Sequence, residues 1–385
     1  MKKIIRTSTI ALSLNYLLKG QLRFLQQHYQ IVAVSGADEH LLQVAEREKV
    51  ATISLCMERN ISPVKDIRSL FQLYFLFRKE KPLIVHSITP KAGLLTMTAA
   101  YFAGVPIRMH TFTGLIFPSR KGIMQKLLIA MDKVLCYCAT NIYPEGEGVK
   151  ADLIKYKITG KELKIIANGN VNGIDLSDFN QELFSDAQKQ ALKDSLGIGA
   201  VDFVFIFIGR LVGDKGINEL IVAFERLAAE TANVTLLLVG PFEAKLDPLS
   251  PQAMQQINNI EQIISVGFQK DIRPYLAISD CLAFPSYREG FPNVVLQAGA
   301  MGLPSIVSNI NGCNEIIVDG ENGIIIPVKS SFALYTAMKK MVENDGYRLL
   351  LEQNARGMIA MRYEQQMVWS AILAEYKMLE EQAAF

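Results

Sequence analysis

Four residues in two short stretches have the types and spacing to hold an anion beside a polyol. In FIGRLVGDKGINELIVAF a hydrophobic run ends at Gly209, Arg210 follows at once, and Lys215 stands just before Gly216 and a helical pattern. Arginine offers a planar fork of donors and lysine a point charge, so the pair can converge on a phosphate. Taken alone, the same two side chains also fit two solvated cations in a loop. In CLAFPSYREGFPNVVLQAGAMG, Glu289 lies in a loop ahead of an apolar helix, and Gln297 follows eight positions later. Pro292 suits the first helical turn, which leaves the amides around Gly290, Phe291, Asn293 and Val294 partly unpaired. Such a helix mouth attracts anions through those N–H groups and the helix dipole. Glu289 can then contact an uncharged polyol beside the anion, and Gln297, about a turn and a half into the helix, can reach another part of the same ligand. A sugar joined to a diphosphate and a nucleoside presents that mixture of groups. The alternative is an ordinary strand, loop and capped helix. The Walker pattern G-x-x-x-x-G-K-[ST] is absent.

Positioning these residues requires strands that end at a common edge. Strand-like runs alternate with helical patterns: KKIIRTS, a helix over SLNYLLKGQLRFLQQH, YQIVAVSG, the helical DIRSLFQLYFLFRKEKP with its apolar residues at 67, 70, 71, 74 and 77, then LIVHS. PKAGLLTMTAAYFAG reads as a helix opened by Pro90 and closed by Gly104, and PIRMHT as the next strand. A break comes at IIANGNVNGIDLSDFN, residues 165 to 180, where two Asn-Gly pairs mark consecutive turns. The pattern restarts with FVFIFIG, VTLLLVG, IISVGF, CLAFPS, PSIVS and GIIIPV, separated by helical segments. From about 330 to 383 the chain reads as helical, and the last segment carries the single tryptophan, Trp369. This alternation builds parallel sheets with right-handed crossovers. The expected class is α/β, with two doubly wound domains, the first covering 1–165 and the second 166–363.

The bulk numbers bound the function. The chain has 385 residues, half of them hydrophobic and a fifth charged, which fits two well-buried globular domains. Forty basic and 38 acidic residues leave a net charge of +2, which argues against a general nucleic-acid binder. The five cysteines are scattered, and Cys136 and Cys138 lack the ligands and spacing of a zinc site. They read as reduced core thiols, which suits a cytoplasm. The start MKKIIRTSTIALSLNYLL has a basic opening, but Arg6 interrupts the apolar run and no small-x-small cleavage site follows; a buried first strand is expected in place of a signal peptide. No apolar run approaches the roughly 18 residues needed to span a bilayer.

Three further groups stand out. His110 in MHTFTG lies at the carboxyl end of a strand, with Thr111, Thr113 and Gly114 in the same loop. His86 and Lys91 in VHSITPKAG face the same edge. A lone strand-end histidine is as often a hydrogen-bonded structural residue as a ligand contact. In PSRKGIMQKLLIAMDKVLCYC, Arg120, Lys121, Lys126 and Lys133 are interleaved with apolar residues. That pattern fits a helix lying on an anionic membrane, and equally a core helix with solvated lysines.

In order, GRLVGDKGINELIVAF, SDCLAFPSYREGFPNVVLQAGAMGLPSIVS and GCNEIIVDGENGIIIPV resemble the second half of the retaining nucleotide-sugar glycosyltransferases of glycosyltransferase family 4, which have the GT-B fold. VHSITPKAGLLTMTAAYFAGVPIRMHTFTG resembles the bacterial members that build capsule and O-antigen units, so the resemblance spans essentially the whole chain. It implies two Rossmann-like domains facing across a cleft, with a return helix at about 364–385 packing back on the first, and it implies that Arg210 and Lys215, next to Gly209, neutralise a donor diphosphate. Glu289 matches the first glutamate of the family's E-x7-E motif, which binds donor-sugar hydroxyls. Backbone groups of Gly290, Phe291, Asn293 and Val294 match those near the sugar and phosphates, and Gly267 and Phe268 match the segment on the nucleobase. The same resemblance gives His110 a donor-sugar contact. Ser8 and Thr9 in TSTIALSLN replace the family's glycine-rich first loop, and His86, Lys91, Thr111, Thr113 and Gly114 fall on the acceptor side.

The sequence departs from the family at the second glutamate, which usually binds the ribose and is Gln297 here. An amide oxygen still accepts from a ribose hydroxyl, though more weakly than a carboxylate. Altered nucleotide affinity is expected, with activity retained. The implied protein is a cytoplasmic retaining glycosyltransferase, peripheral on the inner face of the cell membrane, with no cofactor and no metal. Its donor is a nucleotide sugar, UDP-linked, of N-acetylated or deoxy type, and its acceptor a lipid-linked saccharide on a polyprenyl diphosphate. Two other readings stay open. A nucleotide-sugar 2-epimerase of the same fold isomerises its donor without an acceptor, and a nucleotide-sugar-binding subunit binds donor without releasing UDP. A Rossmann oxidoreductase is disfavoured, because no G-x-G-x-x-G follows the first strand of either domain.

Overall fold

In a computed structural model, which describes residues 1–55, 57–58, 62–243 and 247–383, the chain divides into two compact units. One comprises Met1–Gly173 with Gln365–Phe385, the other Ile174–Glu364. Each is built on a six-stranded parallel sheet with helices, so the α/β, two-Rossmann-domain expectation is met.

The first sheet contains β1 (Lys3–Thr7), β2 (Gln30–Ser35), β3 (Ala51–Ser54), β4 (Ile84–Ser87), β5 (Ile107–Phe112) and β6 (Asn141–Pro144), in the order β3-β2-β1-β4-β5-β6. The second contains β7 (Phe203–Ile208), β8 (Val234–Val239), β9 (Ile263–Gly267), β10 (Cys281–Phe284), β11 (Ser305–Ser308) and β12 (Gly323–Ile326), in the order β12-β11-β10-β7-β8-β9. The two orders are the same topology. In each sheet the chain runs outward from the unit's first strand, then crosses back to lay the fourth strand on that strand's other side. The strand order therefore reverses between β1 and β4, and again between β7 and β10. In open parallel sheets a ligand crevice opens at the carboxyl ends of such a pair.

Burial explains why these segments are strands. All six residues of β8 are buried, as are four of the six in β7, because helices cover both faces of a parallel sheet. Continuous apolar runs result, and all six strands of the second sheet were legible from them. In the first sheet β3 and β6 did not stand out. Both are edge strands of four residues, one with no fully buried side chain and the other ending in Pro144. Edge strands need neither a long apolar run nor every backbone donor.

The helix expected over SLNYLLKGQLRFLQQH is two helices, Ala11–Leu17 and Gln21–Gln26. Between them Gly20 adopts φ 83°, a left-handed conformation that ends a helix, and the Trp369 ring fills the space a Cβ there would need. Trp369 belongs to the last helix, Gln365–Gln382, which packs on the first unit; its indole N–H donates to Asn172 at 2.8 Å. Four of the cysteines, 136, 138, 281 and 313, are buried free thiols, and Cys56 lies outside the described residues. Among the described residues no helix is long and apolar enough to cross a membrane.

Candidate active site

The second unit brings Lys215 and Glu289 together at its strand-order reversal, while Arg210, from the same loop as Lys215, pairs with Glu243. Arg210 and Lys215 follow β7, and Glu289 follows β10, the strand paired with β7. Lys215 Nζ forms an ion pair with Glu289 Oε1, and each side chain is only 17% exposed. The Ser286 hydroxyl donates to the same Glu289 oxygen at 2.8 Å, which fixes the carboxylate from the strand side. Beneath the pair, Lys215 Nζ stands 5.9 Å from the centroid of Phe284, a ring that stacks on Phe207.

Asp214 joins the two loops. Its carbonyl accepts from the Tyr287 amide at 2.9 Å, and its carboxylate accepts from Arg288 at 3.0 Å. Arg210 is half exposed and donates to Glu243 at 2.5 Å. Asp247 receives the Asp214 amide on its carboxylate and the Gly213 amide on its carbonyl. Glu243 and Asp247 come from the loop after β8, which sequence reasoning passed over: no periodicity marks its acidic residues. Cys313 was also missed. Burial pushes its thiol well up, the Glu289 charge adds to that, and Lys215 works against it, so the sulfur beside the ion pair is a neutral thiol.

The helix after Glu289 spans Asn293–Ala300, with Pro292 at its N-cap and no side chain capping it. The N-cap residue therefore offers no side-chain acceptor to the N–H groups of the first turn. Phe291 is buried against Tyr363, with ring centroids 5.5 Å apart, and this anchors the loop leading into the helix. Gln297 is half-buried, and its side-chain amide makes no hydrogen bond among the described residues. Phe268, in the loop after β9, is 70% exposed, an apolar ring with no core role.

Three neighbouring strands reach this edge in glycine: Gly209 after β7, Gly240 after β8 and Gly267 in β9. Gly209 donates to Val239 at 2.9 Å, and Gly240 to Gly267 at 2.8 Å. A Cβ on Gly240 would lie 1.8 Å from the Gly209 carbonyl oxygen, so two backbones meet there with no room for a side chain. Sequence reasoning singled out Gly209 and Gly267 and missed Gly240.

The first unit also brings its expected residues to a common edge, but most of their polar atoms are already engaged. Thr9 Oγ1 meets Thr89 Oγ1 at 2.9 Å and accepts from the Ala92 amide at 3.2 Å; Ser8 donates to the Ile10 carbonyl at 2.6 Å. Lys91 pairs with Asp66 at 2.6 Å, and Thr113 donates to the Ile88 carbonyl at 2.9 Å. Gly114 turns the chain after β5 with φ 121°.

Both histidines are interior, contrary to the open strand-end position expected of them. His86 Nδ1 lies 3.1 Å from Arg6 and 2.7 Å from the Tyr376 hydroxyl, and Nε2 lies 2.8 Å from Thr111 Oγ1. Burial, then the Arg6 charge, holds its pKa well below the usual range. His110 has no exposed surface; Nδ1 sits 2.7 Å from the Ser87 hydroxyl, and burial pushes its pKa down to about 3. The ring fits because residue 93 is glycine: a Cβ there would come within 2.4 Å of it. A helix covering the strand end makes the difference, and strand periodicity carries no sign of that.

Comparison with known proteins shows the family to which the chain belongs. The family model of glycosyl transferases group 1 matches residues 164–358, and that of glycosyl transferase 4-like proteins matches residues 10–145. The capsular polysaccharide biosynthesis glycosyltransferase CapM of Staphylococcus aureus is 30% identical over 380 residues, covering 97% of each chain. An Escherichia coli UDP-Gal:alpha-D-GlcNAc-diphosphoundecaprenol alpha-1,3-galactosyltransferase is 31% identical over 312 residues, covering 80% of this chain and 77% of its own. Among solved structures, Anabaena HepE in complex with UDP and glucose superposes with a TM-score of 0.81 at 18% identity, covering 98% of this chain and all of its own; that likeness is one of fold.

Proposed function

This chain belongs to the group 1 glycosyl transferases, and from that premise we propose that it moves a sugar from a UDP-linked donor to a polyprenyl-diphosphate-linked saccharide in surface polysaccharide assembly, with retention at the anomeric carbon. The observation that carries this reading is the Lys215–Glu289 ion pair at the mouth of an uncapped helix, where the strand order reverses. Without donor the two charges satisfy each other. When a diphosphate arrives, Lys215 and the helix amides turn to it, and Glu289 is released to accept hydrogen bonds from the sugar hydroxyls. The sugar–phosphate C–O bond then breaks, the acceptor oxygen bonds to the same carbon on the same face, and its proton passes to the departing diphosphate. Lys215, Arg210 and the helix mouth stabilise the charge growing on that leaving group, the kind of preorganised stabilisation that dominates many enzymes. Glu289 positions the sugar and does not attack it. Gln297 accepts from the ribose, and the exposed Phe268 packs on the base.

UDP as the nucleotude partner is supported by the donor named for the Escherichia coli relative and by the UDP in the Anabaena structure. The lipid-diphosphate acceptor is likewise suggested by the Escherichia coli relative's name. His86 and His110 act here as interior struts that hold β4 and β5, not as sugar contacts. A thermal-shift screen against UDP-, GDP- and dTDP-sugars tests the donor: UDP-sugars raise the melting temperature, and a response confined to GDP-sugars overturns the assignment. Isomerised UDP-sugar formed without any acceptor, read by mass spectrometry, would favour the epimerase instead.

Membrane-surface contact belongs to the same proposal. The helix Gly122–Cys138 buries Leu135, Cys136 and Cys138 but exposes Ile123, Met124, Leu127, Val134 and Tyr137 alongside Lys126 and Lys133. An apolar face flanked by cations suits the headgroup region of an anionic membrane.

A further inference from the structure

Arg6, in β1, is a buried cation that makes no ion pair among the described residues. Its side chain is 1% exposed, and its two hydrogen bonds both leave from Nη1, to the Tyr376 hydroxyl at 2.6 Å and to His86 Nδ1 at 3.1 Å. Both partners are neutral, because burial holds the His86 pKa well below its usual range and raises that of Tyr376. The Arg6 Nε–H is buried without any acceptor among the described residues. A guanidinium stays charged in proteins, and a buried charge is costly unless it is paired. The same chain of bonds leaves a second donor over. Arginine only donates, so His86 Nδ1 is the acceptor and the ring hydrogen lies on Nε2, which donates to Thr111 Oγ1 at 2.8 Å. The hydrogen of the Thr111 hydroxyl then has no acceptor among the described residues.

Arg6, His86 and Thr111 line one cavity of about 20 Å³, walled by β1, β4, β5, β6, the turns at 166–171 and the last helix. One water-sized occupant needs roughly 10–15 Å³, so the space suits a single small ion or molecule and excludes phosphate or a carboxylic acid. A water accepts from these donors but brings no charge, whereas a halide does both. Glu145 also lines the cavity without pairing with Arg6, and a water donating to it is the rival occupant. We propose that this cavity binds one halide ion of about the size of chloride, held by the Arg6 guanidinium and the Thr111 hydroxyl. The ion supplies the charge that Arg6 lacks. Through Tyr376 it ties β1, β4 and β5 to the last helix, so it stabilises the first unit. None of these groups belongs to the donor site, and the inference stands apart from the transferase reading.

The test compares melting of the full chain in sodium chloride, sodium bromide and sodium gluconate at matched ionic strength. Gluconate is too large for the cavity. The two halides should raise Tm by about 2–4 °C over gluconate and saturate with concentration, as for an ion that binds only the folded state at about ten times its Kd. Arg6→Met keeps the length and removes the charge, so it should lose the halide response; Thr111→Val should weaken it. Crystals grown in bromide should show an anomalous peak within hydrogen-bond distance of Arg6 and Thr111 Oγ1. That readout needs no variant, so it decides the question even where Arg6→Met folds poorly. Equal melting in halide and gluconate, a halide response retained by Arg6→Met, or bromide crystals with only a water in the cavity would each overturn the assignment.

Discussion

Lys215 and Glu289 neutralise each other in their ion pair, so removing either one changes what the other offers a ligand. Lys215→Ala takes away a cation from the leaving diphosphate and should lower turnover about 10²- to 10³-fold with the fold intact by circular dichroism. Glu289→Gln frees Lys215: UDP alone should then bind tighter by calorimetry while sugar transfer falls, and weaker UDP binding would count against the ion pair as a competitor of the diphosphate. Gln297→Glu should keep activity and lower the donor KM, because a carboxylate accepts from a ribose more strongly than an amide. Loss of activity in that variant would show that the amide itself is required. The placement of Lys215 and Glu289 was legible because they stand in loops at strand ends, where few structural roles compete for a charged side chain. The histidines were not, because whether a helix covers a strand end depends on tertiary packing, here on the missing side chain of Gly93.

At the level of elements, the donor site depends on three strands ending together. The row Gly209, Gly240, Gly267 keeps the β7–β9 edge bare, and the approach of Gly240 to the Gly209 carbonyl leaves no space for even a methyl group. Gly240→Ala must therefore push the two backbones apart. A loss of about 2–4 kcal/mol in urea unfolding is expected, with weaker donor binding in whatever remains folded. An unchanged midpoint would mean that the edge is softer than the close contact suggests. Central strands were legible from uninterrupted apolar runs, and the cap-bounded helix Pro90–Ala103 from its proline and glycine. The edge strands β3 and β6 and the break at Gly20 were not, because they are fixed by neighbours distant in sequence, Trp369 in the last case.

For the whole molecule, the same strand order recurs in both units, and the motifs supply a chemistry for only one of the two strand-order reversals. The second unit's loops carry the proposed donor site, whereas the first unit's strand-end hydroxyls mostly bond within the protein. Flotation with phosphatidylglycerol vesicles should carry the protein upward at low salt and much less at high salt. No flotation at either would remove the membrane contact from the proposal. The central claim is that the Lys215–Glu289 site drives sugar transfer from UDP. Its most direct test follows UDP release and glycolipid formation together, with UDP-galactose, UDP-glucose or UDP-N-acetylglucosamine and a polyprenyl-diphosphate N-acetylglucosamine acceptor, in wild type and Lys215→Ala. Matched UDP and glycolipid in the wild type, both nearly lost in the variant, is the predicted result; equal glycolipid formation by the two proteins would contradict it.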